Sequence, residues 1–476
     1  MGDRYTFSIV KALSVFIRVF NTMNIHSSIL RLAARALPPA ERKPRYARSR
    51  IGAVVAALAL SPAAHAVDFG PDGMFSLTGF AEIAVTRVNN QCPSIGCQFD
   101  PDTDRQRIWT DDVVPGRPLK TREVFFTQVQ PYLGFKYDLG SGFKVNGLLS
   151  QRWRDGKTDV KGFWYEKNVA ISHEDYGSLR VGHMTSRTWN LADYPYGTNL
   201  ALSTVWAGSG AGYRMLTQAV RYTSRPLDVA DGDLVLEVTY DRGDTAFQIH
   251  KPRFLELWAH YGKGDLSLDA TLQDTRNGGP VAWGLAPFKG PAYNAASDGK
   301  IGGSGQSMAM VQAIYQVNSQ IEVSGAVRHN RWSGAYAAII DNGPPQQWNN
   351  MWNVDWGGTL NGVANPGYSA SSTDWSGGAR YRMDKWTFAS GVAYLGRAST
   401  ANPSERGQSN STLVNTVRVA YDYGQGVQFY ATAGMIHYGK KGLSPLSLPS
   451  NATIQSIDSR VTKAGNWFGL GTVYAF

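Results

Sequence analysis

Residues 125–152 read F-F-T-Q-V-Q-P-Y-L-G-F-K-Y-D-L-G-S-G-F-K-V-N-G-L-L-S-Q-R. Phe125, Val129, Leu133, Phe135 and Tyr137 keep an even spacing, with Gln128, Gln130 and Lys136 in the alternate positions. After Asp138-Leu139-Gly140-Ser141-Gly142 the same beat resumes, setting Phe143, Val145 and Leu149 against Lys144, Asn146, Ser150 and Arg152. Successive side chains of an extended chain point to opposite faces, so this stretch is a hairpin with one greasy face and one wet face.

The pattern continues in both directions. Upstream, Phe75, Leu77, Ala81, Ile83 and Val85 alternate with Ser76, Thr78, Glu82 and Thr86. Downstream, strands are expected at about 163–172, 177–184, 216–224, 233–241, 253–262, 264–274, 307–317, 319–331, 375–383, 385–397, 412–423, 425–438 and 465–476, which with the first three makes sixteen. The phase of 253–262 is ambiguous, because Phe254 and Trp258 compete with Leu255 and Leu257 for the apolar face.

Every second connection is short. Asp138–Gly142, Gly262-Lys263-Gly264, Met383-Asp384 and Asp422–Gly426 alternate with long stretches at about 87–122, 185–215, 275–306, 332–374 and 439–464. A soluble sandwich has no reason to gather its long loops on one side, whereas a membrane barrel has short turns on one side and long loops on the other. Lipid cannot satisfy backbone hydrogen bonds, so strands cross it only when the sheet closes on itself. The expected fold is therefore all-β: a transmembrane antiparallel β-barrel of sixteen strands with long external loops and short periplasmic turns.

Composition agrees. The chain has 476 residues, 14 Trp, 23 Tyr and 12% aromatics, which suits interfacial girdles, and a mean hydropathy of −0.28, which suits strands with one face towards water. Of the 47 Lys and Arg, ten fall in residues 1–66 beside two of the 37 acids, leaving 37 against 35 for the rest. The formal charge of +10 thus belongs mainly to the leader, and nucleic acid is set aside as a partner. Within that leader Arg45, Arg48 and Arg50 precede the apolar run Ile51–Leu60, then Ser61-Pro62 and Ala63-Ala64-His65-Ala66. This reads as a signal peptide ending at residue 66, with a single barrel domain over 67–476. The stretch upstream is long for a leader, and translation from Met23 is an alternative start. Cys92 and Cys97 enclose four residues in an exported chain, which favours a loop disulfide over a metal site.

On four stretches the chain resembles the general, trimeric, sixteen-stranded porins of Gram-negative outer membranes. Asp175-Tyr176-Gly177-Ser178-Leu179-Arg180-Val181-Gly182-His183 is similar to the family strand that leads into its third loop, with His183 at the usual basic or polar end. Gln218–Pro226 is similar to the strand that follows that loop, the Gly- and Asp-rich turns recur in the second half, and the chain ends Leu470–Phe476 like the family's terminal strand. The resemblance implies a homotrimer of water-filled channels in outer-membrane lipid, with the third loop folded inward as a constriction. It also implies Tyr474 and Phe476 as the signal read by the barrel-assembly machinery.

With that strand phase, Lys144, Arg152, Arg180 and Arg221 point into the lumen. One reading makes them a basic wall acting on permeating ions; the plainer one makes them solvated lumen residues, some paired with Glu166 or Glu237. The expected constriction loop, about 185–215, carries Arg187, Trp189, Asp193, Tyr194, Tyr196 and Trp206 but few acids, which leans towards weak anion preference. Trp348, Trp352 and Trp356, at four-residue spacing, fit packing over the barrel mouth or an aromatic platform for a solute.

No G-x-S-x-G elbow, H-E-x-x-H or phosphate-binding Gly-Lys-Ser/Thr loop occurs, and His173-Glu174-Asp175 falls in a short turn. The expectation is passive diffusion of small hydrophilic solutes and ions, with no cofactor, no metal and no catalytic residue. A channel preferring a sugar or an aromatic solute is the first alternative, and a barrel enzyme or adhesin the second.

Overall fold

The computed structural model describes residues 67–90, 121–154, 157–158, 164–191, 215–242, 253–276, 304–334, 359–360, 363–364, 370–397, 399–400, 411–438 and 464–476. The leader, Cys92, Cys97, Asp193, Tyr194, Tyr196, Trp206, Trp348, Trp352 and Trp356 lie outside them.

Sixteen strands form the wall. They are β1 (Phe75–Asn90), β2 (Thr121–Gly140), β3 (Phe143–Ser150), β4 (Glu166–His173), β5 (Gly177–Thr185), β6 (Met215–Thr223), β7 (Gly232–Asp241) and β8 (Arg253–Lys263). The second half comprises β9 (Leu266–Arg276), β10 (Ser304–Gln316), β11 (Ile321–Gly334), β12 (Ala370–Met383), β13 (Trp386–Leu395), β14 (Thr412–Gly424), β15 (Val427–Tyr438) and β16 (Ala464–Ala475). Each pairs antiparallel with the next, and β1 pairs with both β2 and β16, so the sheet has no free edge. The terminal residue completes the seam: Phe476 N donates to Gly79 O at 2.9 Å and Gly79 N to Phe476 O at 2.7 Å.

Directly opposed residues share a face of a sheet, which allows the inward phase to be followed round the ring. Glu82 opposes Gln128, Arg180 opposes Arg221, Thr239 opposes Glu256, Glu256 opposes Gln273, Arg328 opposes Asp374, and Val473 returns the phase to Glu82. The inward set is polar and enclosed: Thr239 and Asp374 are 0% exposed and Glu256 1%. The outward set is apolar and open, with Val311 57%, Leu272 56% and Leu470 54% exposed. That inversion of the usual globular pattern suits a wall with hydrocarbon outside and water or polar chain inside. The ambiguous segment resolves the same way, with Phe254, Glu256, Trp258 and His260 inward and Leu255 and Leu257 outward.

The short turns use glycine where the backbone requires it. In Asp138–Gly142 the three residues Gly140, Ser141 and Gly142 have φ of 81°, 53° and 82°, and Asp138 Oδ1 accepts from Gly140 N at 2.7 Å. Asp422–Gly426 repeats the device, with φ of 96°, 53° and 76° from Gly424 to Gly426 and Asp422 Oδ1 accepting from Gly424 N at 2.8 Å. A residue without a Cβ adopts this left-handed run at least cost. Aromatic rings gather at the short-turn end, among them Trp386 against Tyr421 at 4.8 Å and Phe143 against His173 at 4.6 Å. Two strands outrun their expected lengths, as β1 continues to Asn90 and β2 begins at Thr121, because their ladder runs on as far as Asn89 opposite Thr121.

One further tie crosses the seam. The Tyr430 ring lies over Gly471, where a Cβ would stand 2.5 Å from the ring, and its hydroxyl donates to Glu82 Oε1 at 2.6 Å. A β15 side chain thereby reaches over β16 to β1.

Candidate functional site

The wall is interrupted where β5 leaves it. The pairing of β5 with β6 slips between Gly182 and Met184, and Gly182 has a φ of 126°. A Cβ on Gly182 would sit 2.5 Å from Lys167 O and 2.9 Å from Asn168 Cα, so only glycine fits. The bulge is held by Asn168 Nδ2 donating to His183 O at 3.0 Å and by a 2.9 Å bond between His183 Nδ1 and Tyr165 O. Past it the chain enters Ser186 and a single helical turn, α1 (Arg187–Asn190).

Inward carboxylates of β7 and β8 capture this turn. Glu256 Oε1 accepts from Arg187 N at 2.6 Å, and Glu256 Oε2 accepts from Thr188 N at 3.3 Å, Thr188 Oγ1 at 3.1 Å and Gln273 Nε2 at 2.9 Å. Glu237 takes the Arg187 guanidinium through Nε at 3.0 Å and through Nη2, and also accepts Thr223 Oγ1 at 2.8 Å. The Arg187 Cζ lies 4.5 Å from the Trp258 ring centre, and Trp258 Nε1 donates to Asp269 Oδ1 at 3.0 Å. Burial opposes the charge on Arg187, but the Glu237 hydrogen bonds and the fields of Glu237, Glu256 and Asp269 outweigh it and raise its pKa above the ordinary arginine value. Beneath the turn Met184, Leu216, Ala219 and Phe254 form a small apolar core.

Arg221 completes the frame. It is 6% exposed, and it donates through Nε to Thr239 Oγ1 at 2.8 Å and through Nη2 to Thr185 O at 2.9 Å. Its Nε is 3.1 Å from Glu237 Oε1, and its Nη2 is 4.0 Å from Glu256 Oε1. Arg180 stands directly opposite on β5 and donates to Asn168 Oδ1 at 2.5 Å. Two arginines facing one another across a ladder repel, and the inward carboxylates Glu166, Glu237 and Glu256 offset that repulsion. Glu166 Oε1 in turn accepts from Thr185 N at 3.2 Å.

The structure thus brings Arg180, Arg187 and Arg221 together, with Arg152 on their flank through its 4.4 Å approach to the Tyr165 ring. Lys144 is apart from them: it opposes Asp138 and Ser172 near the short-turn rim. The sequence reading named Glu166 and Glu237 only as partners for arginine. It missed Glu256, Trp258 and Gln273, whose signal was the inward phase of β8 and β9.

A closed sixteen-strand wall with polar lining matches what comparison with known proteins finds. The profile described as Gram-negative porin matches residues 53–441. The chain belongs to the Gram-negative porin family. It is an outer-membrane channel. The anion-selective porin of Comamonas acidovorans is 14% identical, with a TM-score of 0.53 over 84% of this chain and 99% of that one. The outer membrane channel DcaP of Acinetobacter baumannii is 13% identical, with a TM-score of 0.51 over 86% of this chain and all (100%) of that one. OmpT, an outer membrane protein of Vibrio cholerae, gives the same 13% and 0.51, with coverage of 86% and 100%. At these identities the likeness concerns the fold. No curated protein matches the sequence. Porin membership favours a channel over an enzyme.

Proposed function

We propose that this porin is a passive-diffusion channel whose narrowest stretch is built on the chain that enters the lumen after β5, and that it prefers anions weakly. The observation that carries the reading is the capture of Arg187 and Thr188 by Glu237 and Glu256, which holds the root of that segment against the inner wall at β7 and β8. Three arginines and three glutamates alternate there, so the local charges nearly cancel and discrimination between ions is small. The lean towards anions is supported by the scarcity of acids in the expected loop and by the anion selectivity of the Comamonas porin that shares its fold.

The remaining assignments rest on the composition of the leader, on the spacing of the two cysteines and, for the constriction, the trimer and the terminal signal, on the family. Residues 1–66 are removed on export, residues 67–476 make one barrel, Cys92 and Cys97 close a loop disulfide, and Tyr474 and Phe476 are read by the assembly machinery. Asp193 and Trp206 join Arg187 in the constriction, the functional unit is a homotrimer, and no catalytic step or cofactor is involved.

The test is conductance of the purified, refolded protein in a planar bilayer with a salt gradient. Discrete steps that close in thirds under voltage, with a small reversal potential of the sign for anions, are the expected result. Flux that saturates for one solute would replace passive diffusion with a substrate-preferring channel. A folded barrel without steps would overturn the open pore.

A further inference from the structure

A second group of arginines lies on the inner wall far from the loop root, and its donors are used differently. On β12, Arg380 and Arg382 are two residues apart and both face inward, three and one positions before the end of the strand at Met383. Both approach one carboxylate, Glu322 of β11. Glu322 Oε1 accepts from Arg380 Nε at 2.8 Å, and Glu322 Oε2 accepts from Arg382 Nη2 at 3.3 Å. Arg380 thereby holds Glu322 closely, while Arg382 makes one long, end-on bond. A guanidinium carries five N–H donors in a planar fork. The other four of Arg382 have no partner among the described residues, and its side chain is 42% exposed.

The floor beside these arginines is low. Thr387 opposes Arg382 and Ala389 opposes Arg380 on β13, and neither rises far from the wall. Beyond them Arg418 opposes Ala389 from β14, with its Cζ 4.2 Å from the Tyr430 ring centre and Nη2 donating to Gln428 Oε1 at 2.6 Å. One strand, β13, lies between Arg380 and Arg418, and the two interstrand spacings put their backbones about 10 Å apart. The turns below carry Asp384, Lys385 and Asp422, and Asp422 is engaged with Gly424 N. The rim is thus nearly balanced in charge, and directed donors distinguish this wall.

We propose that Arg382, supported by Arg380, forms a station for a small oxyanion, the carboxylate or phosphate of a solute, at the short-turn mouth of the channel. The group sits over Thr387 and Ala389 and takes the unused fork of Arg382. Glu322 keeps Arg380 in place and balances its charge, so the station binds weakly enough to release. At the loop root, by contrast, Arg187 and Arg221 are committed to Glu237, Glu256 and backbone. The station rests on the open-channel reading, since the current it would block passes through the lumen.

The test is block of chloride conductance in planar bilayers by inorganic phosphate and, separately, by succinate, added to both sides. Wild-type current should fall saturably with one or both anions; Arg382→Gln should weaken that block at least tenfold, and Arg382→Lys should restore part of it. Block by one anion alone would assign the station to that chemistry. Thr387→Glu, which places a carboxylate opposite Arg382 and keeps every arginine, should abolish block and decides the matter if Arg382→Gln fails to fold. Wild-type channels that conduct but ignore both anions, or folded Arg382→Gln and Thr387→Glu variants blocked like wild type, would overturn the station. Absence of wild-type conductance would instead overturn the channel reading itself.

Discussion

Replacing Glu256 by Gln should loosen the inward segment while leaving the barrel intact. The carboxylate accepts four hydrogen bonds, from Arg187 N, Thr188 N, Thr188 Oγ1 and Gln273 Nε2, and it lies 4.0 Å from Arg221. An amide keeps one accepting oxygen and loses the charge, so at least one of these bonds disappears and the others become neutral ones. Hydrogen bonds to a charged group contribute about 1.5–3 kcal/mol each and neutral ones about 1 kcal/mol. The net loss is about 3 kcal/mol, equivalent to roughly a hundredfold change in the equilibrium between seated and released loop root. The interstrand ladder uses no side chain of Glu256, so barrel stability changes far less. Single-channel recording should show added open-level noise and a higher mean conductance, while the heat-dependent gel shift of the folded protein stays near wild type. A folded Glu256→Gln channel with wild-type noise and conductance would refute the argument that these bonds seat the segment.

Three other outcomes are expected. Gly182→Val should lower the yield of folded protein sharply, because its Cβ would meet Lys167 O at 2.5 Å and the φ of 126° is strained for a branched residue; yield on refolding into detergent measures this. Tyr430→Phe removes the 2.6 Å bond to buried Glu82 and should cost about 1.5–3 kcal/mol, read as a lower thermal transition with unchanged conductance. Deleting Phe476 removes both hydrogen bonds to Gly79 and should reduce the protein assembled in the membrane, while channels that do assemble conduct normally.

The barrel could be read from the sequence because period-two alternation is a local property. The hairpin at 125–150 shows its two faces without reference to any other strand, and the five-residue turns beginning at Asp138 and Asp422 announce themselves by their glycines. Strand ends were less legible, as at Asn90 and Thr121, since ladder pairing needs no apolar face. The 253–262 strand was found where expected, and its phase was ambiguous for a definite reason: Phe254 and Trp258 point inward, where Phe254 packs under the loop root and Trp258 supports Arg187. Hydrophobicity normally marks the lipid face, and here two large apolar residues serve the interior. Glu256 was hidden with them, since its role depends on Arg187, which is 69 positions away in sequence. For the arginines the sequence supplied the face and offered Glu166 and Glu237 as partners, but not which arginine each would hold. Arg221 is held by Glu237 and Thr185 O, contacts that only the register of β5, β6 and β7 defines.

The seam has a consequence for biogenesis. Glu82 and Tyr430 are 348 positions apart, and Gly79 waits for the last residue of the chain. A chain without β16 therefore keeps every other strand pairing yet remains an open ribbon with two sticky margins, prone to add foreign strands. Only the docking of β16 turns the ribbon into a ring. Closure is in this way checked by geometry, and a proofreading step that senses exposed margins would discard open barrels without reading their sequence.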